Sequence, residues 1–239
     1  MSSDDIITKI EENDSAFTGN WASVQNFDSA DLFSNPNLPN DPFFNKLTNI
    51  RRISYKVIDQ AISIFKDQRL RLFIHVLDDP KLEDYLLEKG FSHHDTLHVL
   101  KTTNTPSGES LVKKISMKDS KLWTEIFCSA YDCHDWFDEV NKIVQNSVSK
   151  VDYFVDSEEE ASCVALYDRN SILGLYCLGT KPGKRGKGLA RLHVNHALNI
   201  VKEGELNFLM LETFHKDNLL DFYAKLGFEK IYEKKIFTV

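Results

Sequence analysis

The sequence predicts a mixed α/β protein with two similar halves, each alternating strands and helices. Three observations predict it. Short apolar runs at strand spacing alternate with segments whose apolar residues recur at helical spacing. The segment "LEDYLLEKGF" (82–91) reappears as "LLDFYAKLGF" (219–228) at an offset of 137 residues, Gly90 to Gly227, each time with an apolar strand before it and a strand after it. Between the halves, "KTTNTPSGES" (101–110) is polar and rich in turn formers, so it reads as a linker. The domains expected are 1–105 and 106–239.

Taken in order, the first forty residues carry Asp4, Asp5, Glu11, Glu12, Asp14, Asp28 and Asp31 against Lys9, followed by "SNPNLPNDP". This reads as an acidic, partly ordered lead-in and a loop, because Asn and Pro punctuate structure. Val57, Ala61, Ile64 and Phe65 predict a helix over 53–65; "LRLFIHVL" (70–77) predicts a buried strand. A helix over 80–89 stops at Gly90, and a strand follows over 91–100. The second half reads as a strand at 111–115, a helix at 121–131, and a helix opened by Asp135 as N-cap, with Trp136, Phe137, Val140 and Ile143 on its apolar face. Strands at 151–155, 162–167 and 171–178 come next. Ala190, Val194, Ala197, Leu198 and Val201 mark a helix face. A strand at 208–214, a helix at 218–226 capped by Gly227, and a last strand to Val239 complete the pattern.

Composition limits the function classes. The chain has 239 residues, 42% hydrophobic and 27% charged, and a formal net charge of -7. A net acidic surface argues against general nucleic-acid binding, whose phosphates demand a basic footprint, and mildly favours cationic partners. No apolar run approaches the ~18 residues of a membrane-spanning helix, and the acidic N-terminus is unlike a signal peptide, so a cytoplasmic protein without membrane contact is expected. Cys128, Cys133, Cys163 and Cys177 form no CxxC, so reduced thiols are expected rather than a disulfide framework or zinc site.

Against that acidic background "GTKPGKRGKGLARL" (179–192) concentrates glycine and positive charge between a strand and a helix. Such a junction makes an anion site, since the N–H groups at a helix start point outward and glycine lets an anion approach the main chain. A P-loop would need Lys and Ser or Thr after Gly188, where Leu189 and Ala190 stand. The dinucleotide fingerprint would need a third glycine at Arg191.

Arg185-Gly186-Lys187-Gly188-Leu189-Ala190 resembles the R/Q-x-x-G-x-G/A signature of the GNAT superfamily of acyl-CoA N-acyltransferases, with Ala190 filling the last position. "DFYAKLGF" (221–228) resembles that family's late Tyr-x-x-Leu-Gly-Phe helix, one strand further on. The resemblance covers 111–239 and implies a tandem GNAT-like fold with a central, mostly antiparallel sheet flanked by helices, competent in the second half. The first half would be degenerate: it has no glycine-rich junction, and Leu86 stands where Tyr223 stands. It further implies acetyl-CoA as cosubstrate without a metal, and an amine acceptor, small molecule or peptide. Leu178, Gly179 and Thr180 would pair with the pantetheine amides. The main chain of Arg185, Gly186, Lys187, Gly188, Leu189 and Ala190 would hold the pyrophosphate. Asn218 resembles an asparagine that contacts the pantetheine arm, and Tyr223 the acid that reprotonates the sulfur.

The base stays open. Gly174 occupies a position where some family members carry glutamate, leaving Glu212, His215, a water chain or an amine that arrives neutral. His193 and His196 lie three apart on a helix and are expected to be exposed rather than a metal pair; Cys177 is expected to be a buried structural residue. Asp132, Asp135 and Asp138 would border the acceptor pocket. Three readings remain: an amine acetyltransferase, a non-catalytic acyl-CoA-binding module, and a phosphate-binding protein unrelated to coenzyme A.

Overall fold

A computed structural model describes residues 2–106, 108 and 111–239, so part of the expected linker lies outside the described residues. The chain runs α1 (Ser3–Thr18), β1 (Ser23–Phe27), β2 (Ala30–Ser34), β3 (Lys46–Thr48), α2 (Tyr55–Gln68), β4 (Phe73–Val76), α3 (Pro80–Glu88) and β5 (Ser92–Thr102). It continues with β6 (Val112–Lys114), α4 (Ser120–Tyr131), α5 (Phe137–Ser147), β7 (Asp152–Asp156), β8 (Ser162–Arg169), β9 (Ile172–Thr180), α6 (Leu189–Glu203), β10 (Phe208–Phe214), α7 (Leu220–Lys225) and β11 (Glu229–Thr238). Among the described residues no helix is long and apolar enough to cross a membrane.

Two compact units result, neither continuous in sequence. One contains the residues up to Asn13, Lys101–Leu211 and Phe222–Glu229; the other contains Asp14–Leu100, Glu212–Asp221 and Lys230–Val239. The first unit orders its strands β10-β9-β8-β7-β6. All its pairings are antiparallel except β9 with β10. Helix α4 packs on this sheet through Trp123, fully buried, whose indole N–H donates to the Val164 carbonyl at 3.1 Å. The Tyr153 hydroxyl meets Ser147 Oγ at 2.8 Å.

The second unit orders β1-β2-β3-β4-β11-β5. Ile58, Ala61 and Phe65 of α2 and Leu82 and Leu86 of α3 pack with Ile74, Val76 and Phe237 in one apolar cluster. Asp79 caps α3 by accepting the Leu82 N–H at 3.1 Å. Gly90 (φ 86°) and Gly227 (φ 88°) both adopt the left-handed turn, so the segments related by the 137-residue offset end in the same backbone conformation.

Two expectations are corrected. The acidic lead-in is helical from Ser3, because Ile10, Asn13 and Phe17 recur at i, i+3 and i+7 and are buried at 0%, 0% and 3% exposure; Asp4 and Glu12 face outward, whereas Glu11 and Asp14 are buried. Asp135 is not the cap of α5: it sits in a 3-10 turn, His134–Trp136, and Trp136 occupies the cap position without a side-chain hydrogen bond.

Candidate functional site

The site is built on the irregularity of β9. Its pairing with β8 runs Ala165↔Tyr176 and then Cys163↔Gly179, so β9 carries one extra residue, and Cys177 turns left-handed (φ 53°) to accommodate it. Its parallel ladder with β10 stops at Leu175↔Leu211. The edge from Tyr176 to Thr180 is thereby left beyond that ladder.

After β9 the chain makes a 3-10 turn at Pro182–Lys184, then passes Gly186 (φ 78°) and Gly188 (φ 84°) into the 15-residue helix α6. A side chain added at either glycine would meet nothing within 4 Å. The glycines are therefore required by conformation, and the space in front of the loop is open. The helix start supplies N–H groups without intrahelical partners and the positive end of its dipole.

Arg185 does not face that space alone. Its guanidinium donates to the Thr180 carbonyl (3.1 Å) and to the Ala130 carbonyl at the end of α4 (2.8 Å), a favourable place for a cation, and so braces the loop. Tyr131 braces the β9 edge by donating its hydroxyl to the Leu178 carbonyl at 3.0 Å. Lys184 and Lys187 both reach Glu159, at 2.8 and 3.4 Å, and Lys181 reaches Glu125 at 3.3 Å. The Glu159 carboxyl is held below its usual range, first by its hydrogen bond with Lys184.

The loop carrying Glu159 is shaped by Asp156. This fully buried carboxylate accepts the N–H groups of Glu159, Ala161 and Ser162 at 2.7 to 2.8 Å and the Ser162 hydroxyl at 2.9 Å. Ser162 Oγ in turn meets His193 Nε2 at 2.8 Å. His193, expected to be exposed, is completely buried, because with Leu189 and Ala197 it lies on the inward i, i+4, i+8 stripe of α6. His196 is half-buried, its ring edge-on to Phe154 with centroids 4.5 Å apart.

Burial pushes the His193 imidazole down to about 4, against the opposing pull of Asp156. Between that value and the ordinary 6.5, the unfolded chain takes up a proton that the folded chain refuses. Stability is therefore lost as pH falls through this window, by on the order of 3 kcal/mol. Melting curves from pH 7 to 5 are expected to show this loss, and His193→Gln, which can still bond Ser162, should flatten it. An unchanged slope in the variant would refute the assignment.

Along α6, a cavity of ≈ 340 Å³ is lined by Arg191 and Asn195 and closed by Asn104, Lys225 and Gly227. A side chain at Gly227 would collide with Asn104. Tyr223 is buried at 6% exposure, with Phe222 and Phe228 edge-on to its ring at 5.1 and 5.7 Å.

The first unit thus contains Leu178, Gly179, Thr180, the loop from Arg185 to Ala190, and Tyr223, whereas Glu212 and Asn218 belong to the second. Asn218 is an exposed left-handed residue (φ 53°) ending a short 3-10 turn. Glu212 Oε1 takes the Lys234 ammonium at 2.8 Å, with both side chains nearly fully buried. Lys234 lies 4.0 Å from Asp14, which Lys46 grips at 2.7 Å. Burial pushes the Asp14 carboxyl up, but Lys46 and Lys234 outweigh it and hold it at about 2. At Gly174 an added Cβ would lie 2.6 Å from Asn13 Oδ1, and Tyr176 also fills the space, so no side chain fits there. Asp132, Asp135 and Asp138 are all exposed. Among the described residues no group of three or more His, Cys, Asp or Glu is placed to hold a metal.

Sequence reasoning missed Tyr131, Asp156 and Glu159, whose contacts span 47, 6 and 28 residues. Only the Asp156 turn left a local signal, an Asp followed by acidic and small residues between two strands.

The Acetyltransferase (GNAT) family model matches residues 122–228. No curated protein matches the chain. Solved structures similar in fold include a GCN5-related N-acetyltransferase from Kribbella flavida (14% identity, TM-score 0.65, covering 96% of this chain and 93% of that one). Another is a GCN5-related N-acetyltransferase from Sphaerobacter thermophilus (11%, TM-score 0.63, 98% and 90%). A tandem GNAT protein from the clavulanic acid biosynthesis pathway is also similar (11%, TM-score 0.57, 81% and 74%). At these identities the likeness is one of fold, and the fold is the mixed, mostly antiparallel sheet flanked by helices that the sequence predicts. Over residues 122–228 the sequence therefore matches the Acetyltransferase (GNAT) family model, and its fold is similar to that of GCN5-related N-acetyltransferases.

Proposed function

We propose that the second half of the chain, 106–239, transfers the acetyl group of acetyl-CoA to a primary amine. The observation that carries this reading is the open cradle before α6, where Gly186 and Gly188 hold left-handed turns in front of empty space at a helix start. Acetyl-CoA would supply an electrophilic thioester carbonyl, which the amine attacks directly. The N–H groups from Gly186 to Ala190 bind the pyrophosphate, with Arg185 bracing the loop as it does already. The β9 edge from Leu178 to Thr180 offers main-chain groups to an extended amide-bearing arm, as a sheet edge does to a peptide. Arg191 and Lys225, on the walls of the α6 cavity, add positive charge for further phosphate.

Tyr223 is our choice for the acid that returns a proton to the sulfur, since a phenol hydroxyl can act as a general acid toward a thiolate leaving group. Glu212 is a weaker choice for the base, because a carboxylate already neutralised by Lys234 gains less by taking a proton. The exposed carboxylates Asp132, Asp135 and Asp138 favour a cationic acceptor. The test is release of free thiol from acetyl-CoA in the presence of polyamines, amino sugars, amino acids or lysine peptides. Turnover with any of them is expected. Tight acetyl-CoA binding with no thiol release from the whole panel would leave a non-catalytic binding module.

A further inference from the structure

We propose that Cys128 and Cys133 form a dithiol that a peroxide oxidises to a disulfide at the C-terminal turn of α4. The sequence offers no CxxC, but the fold brings the two together. The Cys133 N–H donates to the Cys128 carbonyl at 3.0 Å across Asp132, which is left-handed (φ 54°). This six-residue closure sets its first and last side chains against each other, a place where an apolar pair usually packs. Here it is filled by two thiols, joined in a hydrogen bond that favours the Cys128 thiolate. Both are reduced in the structure, Cys128 buried and Cys133 half-buried.

The exposures order the chemistry. Cys133, the more exposed of the two, passes its proton to the Cys128 sulfur and attacks one peroxide oxygen; an S–O bond forms, the O–O bond breaks, and the departing oxygen leaves as water, taking that proton. Cys128 sulfur then attacks the Cys133 sulfenic sulfur, the S–S bond forms, the S–O bond breaks, and a second water leaves. Two electrons pass from the sulfurs to the peroxide. Cys163 is disfavoured as a partner, because burial pushes its thiol up and keeps it protonated. The crosslink would draw the sulfurs to about 2.05 Å. It would do so in the turn next to Ala130 and Tyr131, whose contacts with Arg185 and Leu178 brace the glycine loop and the β9 edge.

The full chain, treated with hydrogen peroxide and then alkylated in denaturant, is digested with trypsin. Cys128 and Cys133 share the peptide 122–142, whereas Cys163 and Cys177 fall in separate peptides. We expect peptide 122–142 to lose two hydrogens and resist iodoacetamide, with dithiothreitol reversing both changes. In Cys128→Ser the sulfenic acid should persist on Cys133 and react with dimedone. The proposal is overturned if both cysteines of this peptide remain alkylatable while Cys177 is oxidised, if they go on to sulfinic acid without crosslinking, or if the disulfide formed joins other peptides.

Discussion

Replacing Gly186 and Gly188 by valine is expected to remove acetyl-CoA binding, lowering affinity more than ~100-fold. Each new side chain would stand in the space where the loop now presents bare N–H groups, and hydrogen bonds from such groups to a charged phosphate contribute about 1.5–3 kcal/mol apiece. Each would also be strained at a φ of 78° or 84°, by about 1–2 kcal/mol. Calorimetry on wild type and variant checks the affinity, and a thermal melt separates lost binding from lost fold. A folded variant that binds acetyl-CoA as tightly as wild type would remove the cradle from the account.

The second large effect belongs to Tyr223. If its hydroxyl reprotonates the departing sulfur, Tyr223→Phe should lower turnover by about 10² to 10⁴ and leave acetyl-CoA affinity nearly unchanged, as for the loss of one general acid. The ring stays beside Phe222 and Phe228, so the variant should still fold, which a thermal melt checks. Measuring kcat and the dissociation constant together is decisive. Full turnover in the variant would leave an enzyme whose acid lies elsewhere; affinity falling in step with turnover would make Tyr223 a binding residue instead.

Which parts of the protein could be read from sequence depended on how local the signal was. β10 was placed to the residue, at Phe208–Phe214, because an unbroken apolar run bounded by polar residues leaves little freedom. Helix α1 was lost because its inward face is itself partly polar and acidic, with Glu11, Asn13 and Asp14 buried beside Ile10 and Phe17, so no clean apolar stripe stands out. The short strands β1 to β3 lie in stretches rich in Asn, Pro and Asp, whose turn preferences tertiary pairing overrides. In the site, Gly186 and Gly188 were legible because a left-handed backbone demands a particular residue. Glu159 and Tyr131 were not, since nothing near either one announces Lys184 or Leu178. His193 was read as exposed from its residue type, although Leu189 and Ala197, four positions to either side, mark the buried stripe.

The second unit takes β11 from the end of this sequence and sets Lys235 to Thr238 antiparallel to Phe73 to Val76, between β4 and β5. A chain emerging from the ribosome would carry α2, α3 and their strands long before the strand that must lie between two of them exists. Until residue 230 and beyond are made, that sheet has two unfilled edges, which are templates for pairing with other chains. Contacts closed over so many residues also form slowly. Synthesis should therefore pass through a period in which this unit is exposed to aggregation, and removing the last ten residues should make that state permanent.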